Sequence, residues 1–154
     1  MVGDGAIGTP YRHERAGFEI TIPGGWDARS FPGPMVLVAV KTGSKGFARN
    51  LNVTLSTSEG ALESYVDAEL ARSANFLTDL ETVERESVTL AEHKSVRVLS
   101  HFRQGRFSIA LGQWIVDDGD RVVTISVATE ASEWDEARTA IRQTVESFRL
   151  LEEP

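Results

Sequence analysis

Residues 107–149, FSIALGQWIVDDGDRVVTISVATEASEWDEARTAIRQTVESFR, constrain this chain more than any other stretch. Ile109, Leu111 and Ile115 fall on one side of an alternating run, and Val123, Ile125 and Val127 on one side of the next. Alternation with period two marks strands with a face in a core. Asp117-Asp118-Gly119-Asp120 between them is turn chemistry, so the pair predicts a hairpin. The period then lengthens: Trp134, Ala137, Ile141, Val145 and Phe148 recur at three- and four-residue steps, the stripe of an amphipathic helix. A helix that follows a hairpin directly buries such a stripe by lying back across the sheet. This unit is a scaffold and carries no catalytic signature.

The remaining chain reads as strands and turns fitted around it. Residues 1–16 are glycine-rich and charged without periodicity and predict a mobile leader, leaving 17–151 as a single domain. Phe18, Ile20 and Ile22 alternate as a short strand stopped by Pro23-Gly24-Gly25, and Trp26 just beyond predicts a plug at one end of the core. Ser30–Pro34 is a turn-rich link, Met35–Val40 a nearly continuous apolar strand, and Asn50–Thr57 a strand with Leu51, Val53 and Leu55 on one side. The intervening KTGSKGFA lacks the glycine spacing of a phosphate-binding loop and is followed by a strand, which predicts a hairpin loop. Ser58 is placed to cap a helix carrying Leu62, Tyr65, Val66, Leu70 and Phe76, ended by Asp79. Glu81–Leu90, charged in its middle, predicts an exposed edge strand; Lys94–Arg103 follows, with Val96, Val98 and Phe102 inward. The sum is an α+β fold: a mostly antiparallel sheet of about six or seven strands. Because residues 107–116 are apolar on both sides, that sheet needs cover on each, most simply a helix on each face, or one helix and a partner.

Composition narrows function by exclusion. A formal charge of -7 and a pI near 5.0 oppose nucleic-acid binding, which needs basic density against phosphates. No stretch is apolar for the roughly 18–20 residues of a membrane span, and no apolar signal region opens the chain. As given, the chain reads as cytoplasmic; a shortened N-terminus would make it exported or lipid-anchored. With 0 cysteines there is no disulfide, thiolate metal site or cysteine nucleophile.

The order FEITIPGGW, a glycine-containing loop into NLNVTL, a helix ALESYV, and the ending GQWIVDDGDRVVTISVAT…ESFRL resembles the PsbP-like superfamily. That superfamily includes the extrinsic photosystem II protein, a Ran-binding import factor and DcrB-type bacterial domains. The chain is most similar in flavour to the actinobacterial LpqN-type lipoproteins. Pro-x-x-Trp after the first strand and Ser-Phe closing the last helix carry most of the likeness. The resemblance implies an αβα sandwich with non-catalytic binding roles, linked to bacterial secretion or the cell envelope.

No Gly-x-Ser-x-Gly elbow and no HExxH helix occur, and the three histidines are not at metal-ligand spacing. Neither an enzyme nor a cofactor is expected. The leading expectation is an adaptor, chaperone or scaffold for a protein or an amphiphilic ligand, with homo-oligomerisation left open. The loop aromatics Phe31 and Phe47, and Trp114 beside the small residues Ala110 and Gly112, are candidate partner contacts. Ala110 and Gly112 would leave a depression for a partner, or the terminal helix would fill it. Arg97, His101 and Arg103 share one side of a strand, either as a cationic stripe or as a solvated face paired with carboxylates. The competing enzyme reading places His101 with Glu84 or Glu86 across the neighbouring strand.

Overall fold

The computed structural model describes residues 8–57 and 60–151. Ten strands and two helices follow in the order β1 (Thr9–His13), β2 (Phe18–Ile22), β3 (Trp26–Ser30), β4 (Met35–Lys41), β5 (Asn50–Thr57), α1 (Leu62–Ser73), β6 (Thr78–Leu90), β7 (His93–Gln104), β8 (Phe107–Asp118), β9 (Arg121–Glu130), α2 (Trp134–Glu146) and β10 (Arg149–Leu150). A single 3-10 turn, Ala131–Glu133, leads into α2. Seven strands form one antiparallel sheet ordered β3-β4-β5-β9-β8-β7-β6, and β1-β2-β10 form a second, three-stranded sheet.

The 107–128 hairpin forms as its alternation requires. Asp118 pairs with Arg121, Gly119 turns with φ 73°, and its N–H donates to Asp117 Oδ1 at 3.1 Å. Val123, Ile125 and Val127 join the main core with Trp134, Ala137, Ile141, Val145 and Phe148 of the closing helix region. Their sequence neighbour Val122, with Val96, Val98 and Ile115, packs instead with Leu62 and Val66 of α1. Successive residues of a strand point to opposite faces, so neighbours such as Val122 and Val123 enter different clusters, and a third gathers Phe102, Ile109 and Ala128.

Several expectations are corrected. Thr9–His13, read as leader, pairs along its whole length with β2. Phe18–Ile22 leaves the large sheet for the small one, where its inward side chains Phe18, Ile20 and Ile22 are almost completely buried. Trp26–Ser30 becomes the edge strand that replaces it. Helix α1 stops at Ser73, and Phe76 lies beyond it, 74% exposed. On a continued helix Phe76 would fall about 40° from Leu62, on the same stripe, but the helix ends first: the Asn75 and Phe76 N–H groups bond the carbonyls three residues back, Arg72 and Ser73, and turn the chain out of α1. The proposed cap Ser58 lies outside the described residues; Ala61 occupies the N-cap and makes no side-chain bond there. Glu81–Leu90 does lie on an edge, within a longer β6 interrupted by two register shifts.

The two motifs behind the resemblance have local causes. In Ser147-Phe148, the Ser147 hydroxyl accepts the Thr21 N–H at 2.8 Å and donates to the Thr144 carbonyl at 2.5 Å. It thereby ties the end of α2 to β2, and the Phe148 ring meets Phe18 with centroids 5.7 Å apart. In Pro23-Gly24-Gly25-Trp26, the Trp26 N–H donates to the Pro23 carbonyl at 3.3 Å while Gly25 adopts φ 82°. The chain reverses there and carries Trp26 onto the large sheet.

A cleft between the last helix and the sheet

A cleft of about 580 Å³ lies where α2 passes over the β3-β4-β5 side of the large sheet. Its size suits a small ligand. Leu51 and Val127 of the sheet give it an apolar floor faced by Ile141 of α2, Trp26 with Pro23 and Gly24 one wall, and Gln143 and Thr144 of α2, with Ser147 at its end, a polar lip. Lys41 and Arg49 supply its ionisable groups; no histidine and no carboxylate lines it among the described residues.

Sheet register explains how apolar and cationic surface meet here. Leu51 stands opposite Val127 on one side and Ala39 on the other, and Ala39 opposite Ala28. Two residues along each strand, on the same face, come Trp26 and Lys41, which are directly paired. Arg49 stands next, its carbonyl accepting the Lys41 N–H at 2.9 Å and its Nε donating to Thr129 Oγ1 at 3.1 Å. One transverse row of the sheet is thus apolar and the adjacent row is cationic. Arg49 is further held by Glu133 Oε1, 3.1 Å from its Nη2, with its side chain 18% exposed. Lys41 is exposed and forms no ion pair among the described residues. The site carries a held guanidinium and a free ammonium beside a greasy floor, which is equipment for binding.

Trp26, Leu51, Val127 and Ile141, read from the sequence as core residues, line this cleft, but none of the candidate partner contacts does. Trp114 is 8% exposed and faces Trp134, whose ring fills the depression expected above Gly112: a Cβ built at Gly112 would stand 2.7 Å from the Trp134 ring. Phe47 is half-buried against Phe107, ring centroids 6.2 Å apart, in a cluster with Leu77, Leu80 and Leu111. Phe31 keeps 45% exposure at the β3–β4 turn. Arg97 donates to Glu84 at 3.0 Å and to Glu86 at 3.3 Å. Leu99, between Arg97 and His101, is buried in the core, while Arg103 is exposed. His101 stands opposite Glu81; Glu84 and Glu86 are engaged by Arg97, so the histidine–carboxylate pair of the enzyme reading is not assembled. Among the described residues no three potential metal ligands cluster, and no helix is long and apolar enough to cross a membrane.

The cleft residues were missed because each has an ordinary local reading. Lys41 and Arg49 flank the hairpin loop, as a solvated pair would. The available signal was parity: Lys41 continues the inward row Leu37, Ala39, and Arg49 begins the inward row Leu51, Val53.

Among curated proteins none matches the sequence. Solved structures share the fold at low identity. LpqN of Mycobacterium tuberculosis, described as involved in cell envelope biogenesis, superposes with a TM-score of 0.71 at 14% identity, covering 94% of this chain and 90% of its own. The cyanobacterial PsbP protein CyanoP of Synechocystis sp. PCC 6803 gives 0.70 at 14% identity, covering 97% and 96%. A Mog1 protein gives 0.64 at 13%, covering 94% and 96%. The DcrB family model matches residues 18–147, from the first buried strand to the serine that closes the last helix. The chain therefore belongs to the DcrB family, within a PsbP-like fold.

Proposed function

We propose that this protein is a non-catalytic binding module of the bacterial cell envelope whose cleft takes an amphiphile with an anionic head. The carrying observation is the pair of adjacent rows in the cleft, Leu51 and Val127 beside Lys41 and Arg49, with no carboxylate among the lining residues. An alkyl chain would lie along the floor against Trp26 and Ile141, and its head would meet Lys41. The envelope setting is supported by the fold shared with LpqN, described as involved in cell envelope biogenesis. An exported or anchored state goes with that setting.

The same reading takes α1 and α2 as covers for opposite faces of the large sheet. It is supported by the two clusters, which draw on neighbouring residues such as Val122 and Val123. Under this arrangement α2 is free to act as the cleft's roof while α1 stabilises the far side.

Dodecyl phosphate titration, followed by tryptophan fluorescence, tests the proposal. Trp114 and Trp134 are buried, so the half-buried Trp26 should report, and Trp26→Phe should abolish the change. Dodecyltrimethylammonium should bind at least about tenfold more weakly, and Lys41→Glu should erase that preference. Equal binding of the two amphiphiles, or a Lys41→Glu variant that keeps the preference, would refute the assignment.

A further inference from the structure

The large sheet has two free edges, and they are built differently. Strand β6 is long, carries Glu81, Glu84, Arg85 and Glu86, and is broken by two register shifts, features that discourage pairing. Strand β3 at the other edge is only five residues long and also charged, but it is regular, its charges Asp27 and Arg29 are of opposite sign, and nothing pairs with its outer side among the described residues.

Which β3 groups face outward follows from its bonds to β4. The Thr42 N–H donates to the Gly25 carbonyl at 3.0 Å, and the Phe31 N–H donates to the Val36 carbonyl at 3.0 Å. Bonded pairs alternate along an antiparallel ladder, so Asp27 and Arg29 also bond to β4. The main-chain groups of Trp26, Ala28 and Ser30 then point away from the sheet. The Trp26 N–H is already given to Pro23, which leaves the Trp26 carbonyl and both groups of Ala28 and Ser30 available.

We infer that β3 is a homodimerisation edge, pairing antiparallel with β3 of a second copy about a two-fold axis through Ala28. In this register Ala28 bonds to Ala28 of the second copy, and each Ser30 N–H reaches the other copy's Trp26 carbonyl. Asp27 then stands opposite Arg29 of the second copy, twice, at the non-hydrogen-bonded positions where side chains approach most closely. The neighbouring registers that keep the same outward groups in use place Asp27 against Asp27 or Arg29 against Arg29. The charges therefore select one register. Asp27 and Arg29 share a solvent-exposed ion pair at 3.2 Å within each copy, and the two such pairs of two copies exchange for two across the dimer. The pairing also brings Phe31, 45% exposed, alongside the Gly24-Gly25 turn of the second copy. Trp26 and Gly24 serve both this edge and the cleft wall, but the pairing needs no occupant in the cleft.

Sedimentation velocity up to about 1 mM protein decides it. The wild type should dimerise reversibly. Asp27→Arg and Arg29→Asp should each weaken association about tenfold or more, because each sets like charges opposite one another twice. Mixed in equal amounts, the two variants should associate again, since every pair is then opposite in sign. Ala28→Pro should be monomeric with an unchanged melting temperature, because the Ala28 N–H takes no part in the β4 ladder. A wild type that stays monomeric throughout would overturn the inference, as would a dimer that survives Ala28→Pro or a variant mixture that fails to associate.

Discussion

Gly112 offers the sharpest test of how the core is packed. It lies mid-strand in β8, where glycine is ordinarily a liability, and replacing it by alanine should gain about 0.5–1 kcal/mol in chain entropy. The added methyl, however, would stand 2.7 Å from Trp134 and 3.0 and 3.2 Å from two atoms of Trp114. Ordinary contact needs about 3.5–4 Å, so something must move by about an ångström. Neither ring is free to do so: Trp134 is 7% and Trp114 8% exposed, and Trp134 opens α2. Overpacking of this kind costs about 1–3 kcal/mol. The net expectation for Gly112→Ala is a loss of about 1–2 kcal/mol, or a melting temperature about 2–8 °C lower for a chain of this length. Circular dichroism melts of Gly112→Ala, Trp134→Phe and the double variant would close a cycle. The smaller ring removes the tightest contact, so the cost of the alanine should shrink by about 1 kcal/mol or more in that background. Gly112→Ala as stable as the wild type would refute the reasoning.

Phe148→Ala should cost about 3–5 kcal/mol in denaturant unfolding, since the ring is 1% exposed and joins α2 to Phe18 of the small sheet. Ser147→Ala strands the Thr21 N–H and should cost about 1–3 kcal/mol by the same measurement, with the amphiphile affinity falling as the cleft loosens. Glu92→Gly should stabilise by about 1 kcal/mol in a thermal melt, because Ala91 and Glu92 turn the β6–β7 hairpin at φ 52° and 65° without a glycine. Arg85→Ala should cost no more than about 1 kcal/mol despite bonds to Glu63 and Asp67, both at 2.7 Å. Those carboxylates hold the guanidinium above its ordinary range, but the network is open to solvent.

How much of this was legible depends on whether an element's reason lies within it. Hairpin β8–β9 and helix α2 carry their own periodicity and turn residues, so both were readable. Strands β1 and β3 do not: TPYRH and WDARS offer only Tyr11, Trp26 and Ala28 to the core, too few to announce a strand, and form because β2 and β4 offer them open backbone. Strand β10 is two residues long and exists through its pairing with Glu19 and Phe18. Trp114 was read with its neighbours Ala110 and Gly112 as a depression, which was sound, but its occupant Trp134 lies twenty residues on. The cleft unites residues from β2 through α2, and no local pattern announces such a meeting.

The strand order has a further consequence, for the time course of folding. Strands β3-β4-β5 form one meander and β6-β7-β8-β9 another, each built from neighbours in the chain. The two are joined in the large sheet by the β5–β9 ladder, from Asn50 opposite Ala128 to Thr57 opposite Arg121. Closing that seam spans a long loop and is slow relative to the hairpins on either side. Shortening Val53 or Ile125, which face each other across it, should therefore slow refolding, whereas changes at the outer strand β6 should mainly hasten unfolding. Stopped-flow chevrons of Val53→Ala and Val88→Ala would separate the two behaviours. The chain would assemble as two small sheets that meet late, with the floor of the cleft created at the moment they join.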